Sequence, residues 1–142
     1  METQYPHPLH NWSQYISQED YNYLINYIEN IKNNSPNDKM IILSGEGRTG
    51  KTTLKKDIYN YLTPELCEEL PTISVEIIYN ETIKRLGFLC GIHEISSSKK
   101  MNQAIINFIK YKQSFIADTN CIEKVNNKLL EHCKIITMKH VF

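Results

Sequence analysis

The densest chemistry in the chain lies in eight consecutive residues, Gly45-Glu46-Gly47-Arg48-Thr49-Gly50-Lys51-Thr52. Their types and spacing match G-x-x-x-x-G-K-[ST] in full, the pattern of a loop that cradles nucleotide phosphates. Glycines reach backbone conformations closed to residues with a Cβ. Successive N–H groups then point inward and form an anion nest. Lys51 is expected to reach the β- and γ-phosphates, and the Thr52 hydroxyl to ligate Mg²⁺. Gly45, Gly47, Arg48, Thr49, Gly50, Lys51, Thr52 and Thr53 are therefore the expected binding residues for a nucleotide with Mg²⁺. Arg48 has two readings, a phosphate contact or a solvated side chain, and the second is favoured.

Such a loop works only between a buried strand and a helix that starts at the phosphates. Met40 to Leu43 is a short apolar run that reads as the strand. Lys51 to Leu62 has helical spacing, with Leu54, Ile58 and Leu62 on one face. Upstream, residues 1–16 read as irregular because of Pro6 and Pro8. Ser17 reads as an N-cap for a helix over 18–32, with Tyr21, Leu24, Ile25, Ile28 and Ile31 at helical spacing. Downstream, Pro64 and Pro71 bracket a polar connection. "TISVEII" (72–78), "LGFLCGI" (86–92), "SFIAD" (114–118) and "KIITMKHVF" (134–142) read as strands, and 99–111 and 122–131 as helices. Alternating strands and helices with apolar central strands predict an α/β fold in three layers, a parallel sheet covered on both faces. Ligands of such sheets bind at the carboxyl ends of the strands.

Hydrolysis needs an acid at the end of a neighbouring strand. Glu94 follows the third apolar run directly and is the preferred candidate, with Glu76 and Asp118 as competitors. Asn120, just past "FIAD", is placed to hydrogen-bond an attacking water or the γ-phosphate, though an Asn capping the next helix would look the same. Glu94, Asn120 and Lys51 form the expected catalytic set, and Thr52 and Glu94 the metal-holding set. Cys90, His93, Cys121, His132 and Cys133 can be drawn as a zinc site, but their spacing is irregular. Trp12, Tyr15, Tyr21 and Tyr23 cluster near the N-terminus, where they either staple the first helix to the sheet or offer an aromatic face to adenine.

The chain has 142 residues, which suits one domain over 1–142: an N-terminal extension and helix at 1–37 and a nucleotide-binding core at 38–142. Sixteen Lys and Arg balance sixteen Asp and Glu, so any nucleic-acid contact must come from a local patch rather than a global basic field. The four cysteines sit among apolar neighbours, as buried thiols do in a reducing compartment. No apolar run is long enough to cross a membrane, and the first residues lack a signal peptide's apolar core. The expectation is an intracellular protein that is not secreted and has no membrane partner.

"MIILSGEGRTGKTTL", "FLCGIHEI" and "FIADTNCIEKVNNKLLEHCKIITMKHVF" together resemble the A, B and C motifs of superfamily 3 helicases, nearest the poxvirus and giant-virus primase-helicase type. The resemblance runs from about Asp38 to Phe142. It implies a P-loop NTPase with an AAA+-like core, a five-stranded parallel sheet in the order 5-1-4-3-2 and, here, no lid domain. It also implies ATP with Mg²⁺, a hexameric ring, movement on single-stranded DNA, and a place in the host cytoplasm or a viral factory. By position, Lys51 and Thr52 would bind phosphate and metal, Glu94 would be the Walker B acid and Asn120 the sensor. Two departures stand out. The interval from Glu94 to Asn120 offers only "SSSKK", Lys110 and Lys112 where the family carries a basic hairpin. Before the last strand, where the family has arginines that reach a neighbouring subunit, the chain reads His132-Cys133-Lys134, with Arg85 as a weaker candidate. Two other functions stay open: a nucleotide-binding structural or genome-associated module without motor activity, and a small nucleotide kinase. The kinase is disfavoured because no arginine-rich lid is visible.

Overall fold

A computed structural model describes residues 7–46, 50–62, 67–70, 89–92, 102, 103, 105–107 and 114–139. One sheet is built from β1 (Met40–Ser44), β2 (Cys67–Leu70), β3 (Leu89–Ile92), β4 (Ser114–Thr119) and β5 (Cys133–Thr137). Four pairings, all parallel, join them in the order β2-β3-β4-β1-β5. β1 and β4 each have a partner on both sides, and every residue of both is buried. That is why their sequences are apolar on both faces rather than alternating.

Two helical layers cover the sheet. On one face lie α1 (Gln18–Lys32) and α2 (Lys51–Leu62), whose Leu24, Ile28, Leu54 and Ile58 pack against Ile41 and Leu43 of β1. Ser17 caps α1 by accepting the Asp20 N–H at 3.1 Å, with Glu19 and Asp20 in the first turn, where a helix favours negative charge. On the other face, Ile105 and Ile106, within helical residues 105–107, pack with Leu129 of α3 (Asn127–Leu130) against Ile42, Phe115 and Ala117. Odd and even residues of β1 thus serve opposite layers, as the two-residue repeat of a strand requires.

The structure departs from the sequence expectations in four places. Cys67–Leu70, read as part of a connection, is strand β2, at the edge of the sheet among the described residues. An edge pairs on one side only and is commonly charged, so "CEEL" carries no strand-like apolar signal. The expected strand at 72–78 lies outside the described residues. The helix expected over 122–131 is broken into a 3₁₀ turn, Ile122–Lys124, and α3. Asn126 restarts it by accepting the Lys128 N–H at 2.8 Å. β5 stops at Thr137, and the Lys139 N–H turns instead to the Tyr15 carbonyl at 2.8 Å. Within the stretch read as irregular, His10–Gln14 forms a 3₁₀ turn.

Candidate nucleotide-binding site

Gly45 leaves the sheet where β1 ends, and its N–H donates to the Thr119 carbonyl at 3.3 Å. The start of the loop is therefore tied to the tip of β4. Gly50 has φ 88°, in the left-handed region that favours glycine. α2 starts at the next residue, and the Leu54 N–H closes its first turn on the Gly50 carbonyl at 2.8 Å. Lys51 is buried, and its Nζ donates to the carbonyls of Gly45 at 2.7 Å and Glu46 at 2.8 Å. A cation is thus held between the loop's first residues and the positive end of a twelve-residue helix. Thr52 and Thr53 are exposed on that first turn, and Gly45 and Gly50 are half-buried. The donor set fits a polyphosphate, with the Thr52 hydroxyl as a hard oxygen ligand of the kind Mg²⁺ takes. Gly47, Arg48 and Thr49 lie outside the described residues.

The register pairs Ser44 with Thr119, so Asn120 follows directly beside Gly45. Thr119 Oγ1 accepts the Cys121 N–H at 3.1 Å, closing a turn with the exposed Asn120 at its bend. The Cys121 thiol donates to Glu123 at 3.0 Å, and this bond holds the Glu123 carboxyl below its ordinary range. Lys51, Thr52 and Asn120 thus come together at one edge of the sheet. Glu94 and its competitor Glu76 lie outside the described residues. β3 ends at Ile92, two positions before Glu94, and Ile92 pairs with Ala117.

Asp118, weighed above as a competing acid, has a different setting. Its carboxylate is buried under α2, 3.0 Å from Lys55 Nζ. Lys55 is itself wholly buried and also donates to the Ile92 carbonyl at 3.2 Å. No reading of the sequence singled out Lys55, although a signal was present. Lys51, Lys55, Ile58 and Leu62 follow helical spacing along the stripe that faces the sheet. One turn further on, Tyr59 lies over Gly91 so closely that a Cβ there would meet its Oη at 1.8 Å.

The N-terminal segment is held across both helices. Trp12 Nε1 donates to Asp57 of α2 at 2.8 Å. His7 meets Glu29 of α1 at 2.8 Å, and Tyr61 of α2 donates to the same carboxylate. Partial burial pushes Glu29 up, but the bonds from Tyr61 and His7 outweigh it and leave the carboxyl below its usual value. The aromatic cluster of the sequence is therefore partly a staple: Trp12 and Tyr15 meet edge to face at 5.7 Å, and Tyr21 is buried in the core. Lys134, considered as a cation for a neighbouring subunit, pairs with Asp20 at 3.1 Å. Among the described residues no three His, Cys, Asp or Glu side chains cluster as a metal site, and no helix is long and apolar enough to cross a membrane.

The same arrangement of strands and helices occurs in solved structures. The Thermotoga maritima RuvB Holliday junction branch migration motor matches with a TM-score of 0.61 and 20% identity, covering 87% of this chain and 45% of that one. A point mutant of the same RuvB gives a TM-score of 0.65 at 16% identity over the same shares. Caenorhabditis elegans PCH-2 gives 0.55 at 13% identity, covering 92% and 45%. This chain shares with these structures a parallel α/β fold. The chain spans less than half the length of these structures. No family model matches the sequence, and no curated protein matches it either.

Proposed function

We propose that this chain binds ATP with Mg²⁺ at the loop between β1 and α2 and hydrolyses it as the nucleotide-driven core of a motor of the superfamily 3 helicase kind. The observation that carries this reading is the seating of Lys51 at the head of α2, with Asn120 on the adjacent strand tip, at the carboxyl edge of a parallel sheet. In the proposed chemistry, Lys51 offsets charge on the β- and γ-phosphates and Thr52 holds the metal. Mg²⁺, when bound, would be held by Thr52 and Glu94 and would draw charge off the phosphates. Glu94 orients a water in line with the γ-phosphate and takes its proton, and Asn120 fixes that water's position. The likeness in fold to a branch migration motor supports the motor half of the reading. Single-stranded DNA as partner, a homo-hexameric ring, a single domain over 1–142 and an intracellular, viral setting complete the proposal.

The test is steady-state ATP turnover by the wild type and by Glu94→Gln, with ATP affinity measured in parallel. Turnover that disappears in Glu94→Gln while binding persists is the expected result. Tight binding without turnover by the wild type would replace the motor with a nucleotide-binding module. Transfer of the phosphoryl group to a nucleoside would indicate a kinase. Light scattering with and without ATP reports on the ring.

A further inference from the structure

We infer that Lys55 and Asp118 are positioning residues, a buried pair that sets the reacting groups of three separate elements in register. The inference rests on the ATPase reading above. Lys55 lies one helical turn after Lys51, on the sheet-facing side of α2. Its Nζ reaches the tips of two neighbouring strands at once: the Ile92 carbonyl at 3.2 Å, two residues before Glu94, and Asp118 Oδ2 at 3.0 Å, two residues before Asn120. One ammonium group therefore links the helix that carries Lys51 and Thr52 to the ends of β3 and β4. The backbone adds a second link on the other side of β4, where the Gly45 N–H meets the Thr119 carbonyl at 3.3 Å.

Stability alone does not account for such a pair. Taking two charges out of water costs about what their attraction returns, and well-packed apolar residues often do as well or better. A paired charge does fix registry, because its geometry is specific where apolar packing is tolerant. Registry matters most at these strand tips, since misplacing a reacting group by about 1 Å can cost about a hundredfold in rate. The pair touches no substrate in this reading and acts through the groups it aligns.

The experiment compares the full-length wild type with Lys55→Met/Asp118→Leu, which removes both charges together and leaves neither orphaned. Circular dichroism and thermal melting establish folding, and kcat, KM and the affinities for ATP and ADP are measured. The expected result is a folded variant with KM near the wild-type value and kcat down by about a hundredfold, the signature of lost alignment rather than lost binding. Unchanged kcat in the folded variant, or a loss confined to KM, overturns the inference. Lys55→Gln, which keeps a donor one bond shorter, is the second variant. If only it folds, a wild-type kcat overturns the inference and a lowered kcat at constant KM supports it. If the wild type binds ATP without turnover, the ATPase reading fails separately, and the ratio of ATP to ADP affinity decides. Loss of that ratio's preference for ATP in the variants supports alignment at the γ-phosphate, and a ratio unchanged from wild type overturns it.

Discussion

The two ends of the sheet bury polar groups in opposite ways. At the amino end, Tyr27 of α1 donates its hydroxyl to the Phe115 carbonyl at 3.0 Å and accepts the Phe115 N–H at 2.9 Å. Asn37 beside it donates to the Tyr27 carbonyl at 3.1 Å and to Ser114 Oγ at 3.0 Å. Every one of these groups is neutral. At the carboxyl end the buried polar pair is charged, Lys55 with Asp118, and it stands next to the expected reaction site. A neutral network satisfies backbone groups at modest cost and stabilises. A charged pair contributes little net stability but fixes geometry. The end that only has to hold the fold together uses the first device, and the end that has to align side chains uses the second.

Mutations test this contrast most sharply where a charge is orphaned. Asp118→Ala leaves Lys55 buried without its carboxylate and should cost about 3–5 kcal/mol, read as a large fall in melting temperature. Lys51→Ala acts at the same end, on a buried lysine bonded to two loop carbonyls rather than to a carboxylate. It should lower ATP affinity by about a hundredfold, close to 3 kcal/mol, in a calorimetric titration, with a smaller fall in melting temperature than Asp118→Ala. Tyr27→Phe at the amino end should do the reverse, costing about 1–3 kcal/mol of stability because it strips partners from the buried Phe115 backbone, with ATP affinity unchanged. Ser17→Ala, which removes the cap of α1 away from both clusters, should cost about 1 kcal/mol.

The amino end should also respond to alkali. Burial raises the Tyr27 phenol above its ordinary value of 10.0 and pushes the Cys133 thiol from 9.0 up to about 12. Each native group then keeps its proton where the unfolded chain has released it. The stability they contribute is whole below pH 9 and falls as pH rises, first through Cys133 and above pH 10 through Tyr27 as well. Melting temperatures across pH 8 to 11 should show this decline, and Cys133→Ala should flatten its first part.

What could be read from the sequence follows the same division. The helix at 18–32 was legible because Ser17, the acidic first turn and the apolar spacing agree. The strand, glycine turn and helix of residues 40–62 were legible because an apolar run, a glycine-rich stretch and a helical stripe follow one another there. β2 was not, since an edge strand needs no apolar pattern, and "CEEL" looks like loop. The break at Asn126 was hidden because Asn suits helix caps and loops alike. The Lys55–Asp118 pair was missed because each charge was read alone. Lys55 sits on the sheet-facing stripe of α2 and Asp118 interrupts an apolar strand, and only the packing of α2 over β4 makes the two anomalies explain each other. Glu94 was picked out of the sequence by its place two positions past Ile92, where β3 ends.

The strand order has a consequence for the birth of the protein. Ile41 of β1 pairs with Ile116 of β4, 75 positions later, and Met40 pairs with Cys133 of β5 later still. At a ribosomal rate of about 5–20 residues per second, β1 waits about 4–15 seconds for its first partner strand to be made. During that interval both edges of this apolar segment stay open, with α1 and α2 the first described helices able to cover one of its faces. The order of synthesis therefore leaves β1 open to chaperones, and to association with other nascent chains, throughout that interval.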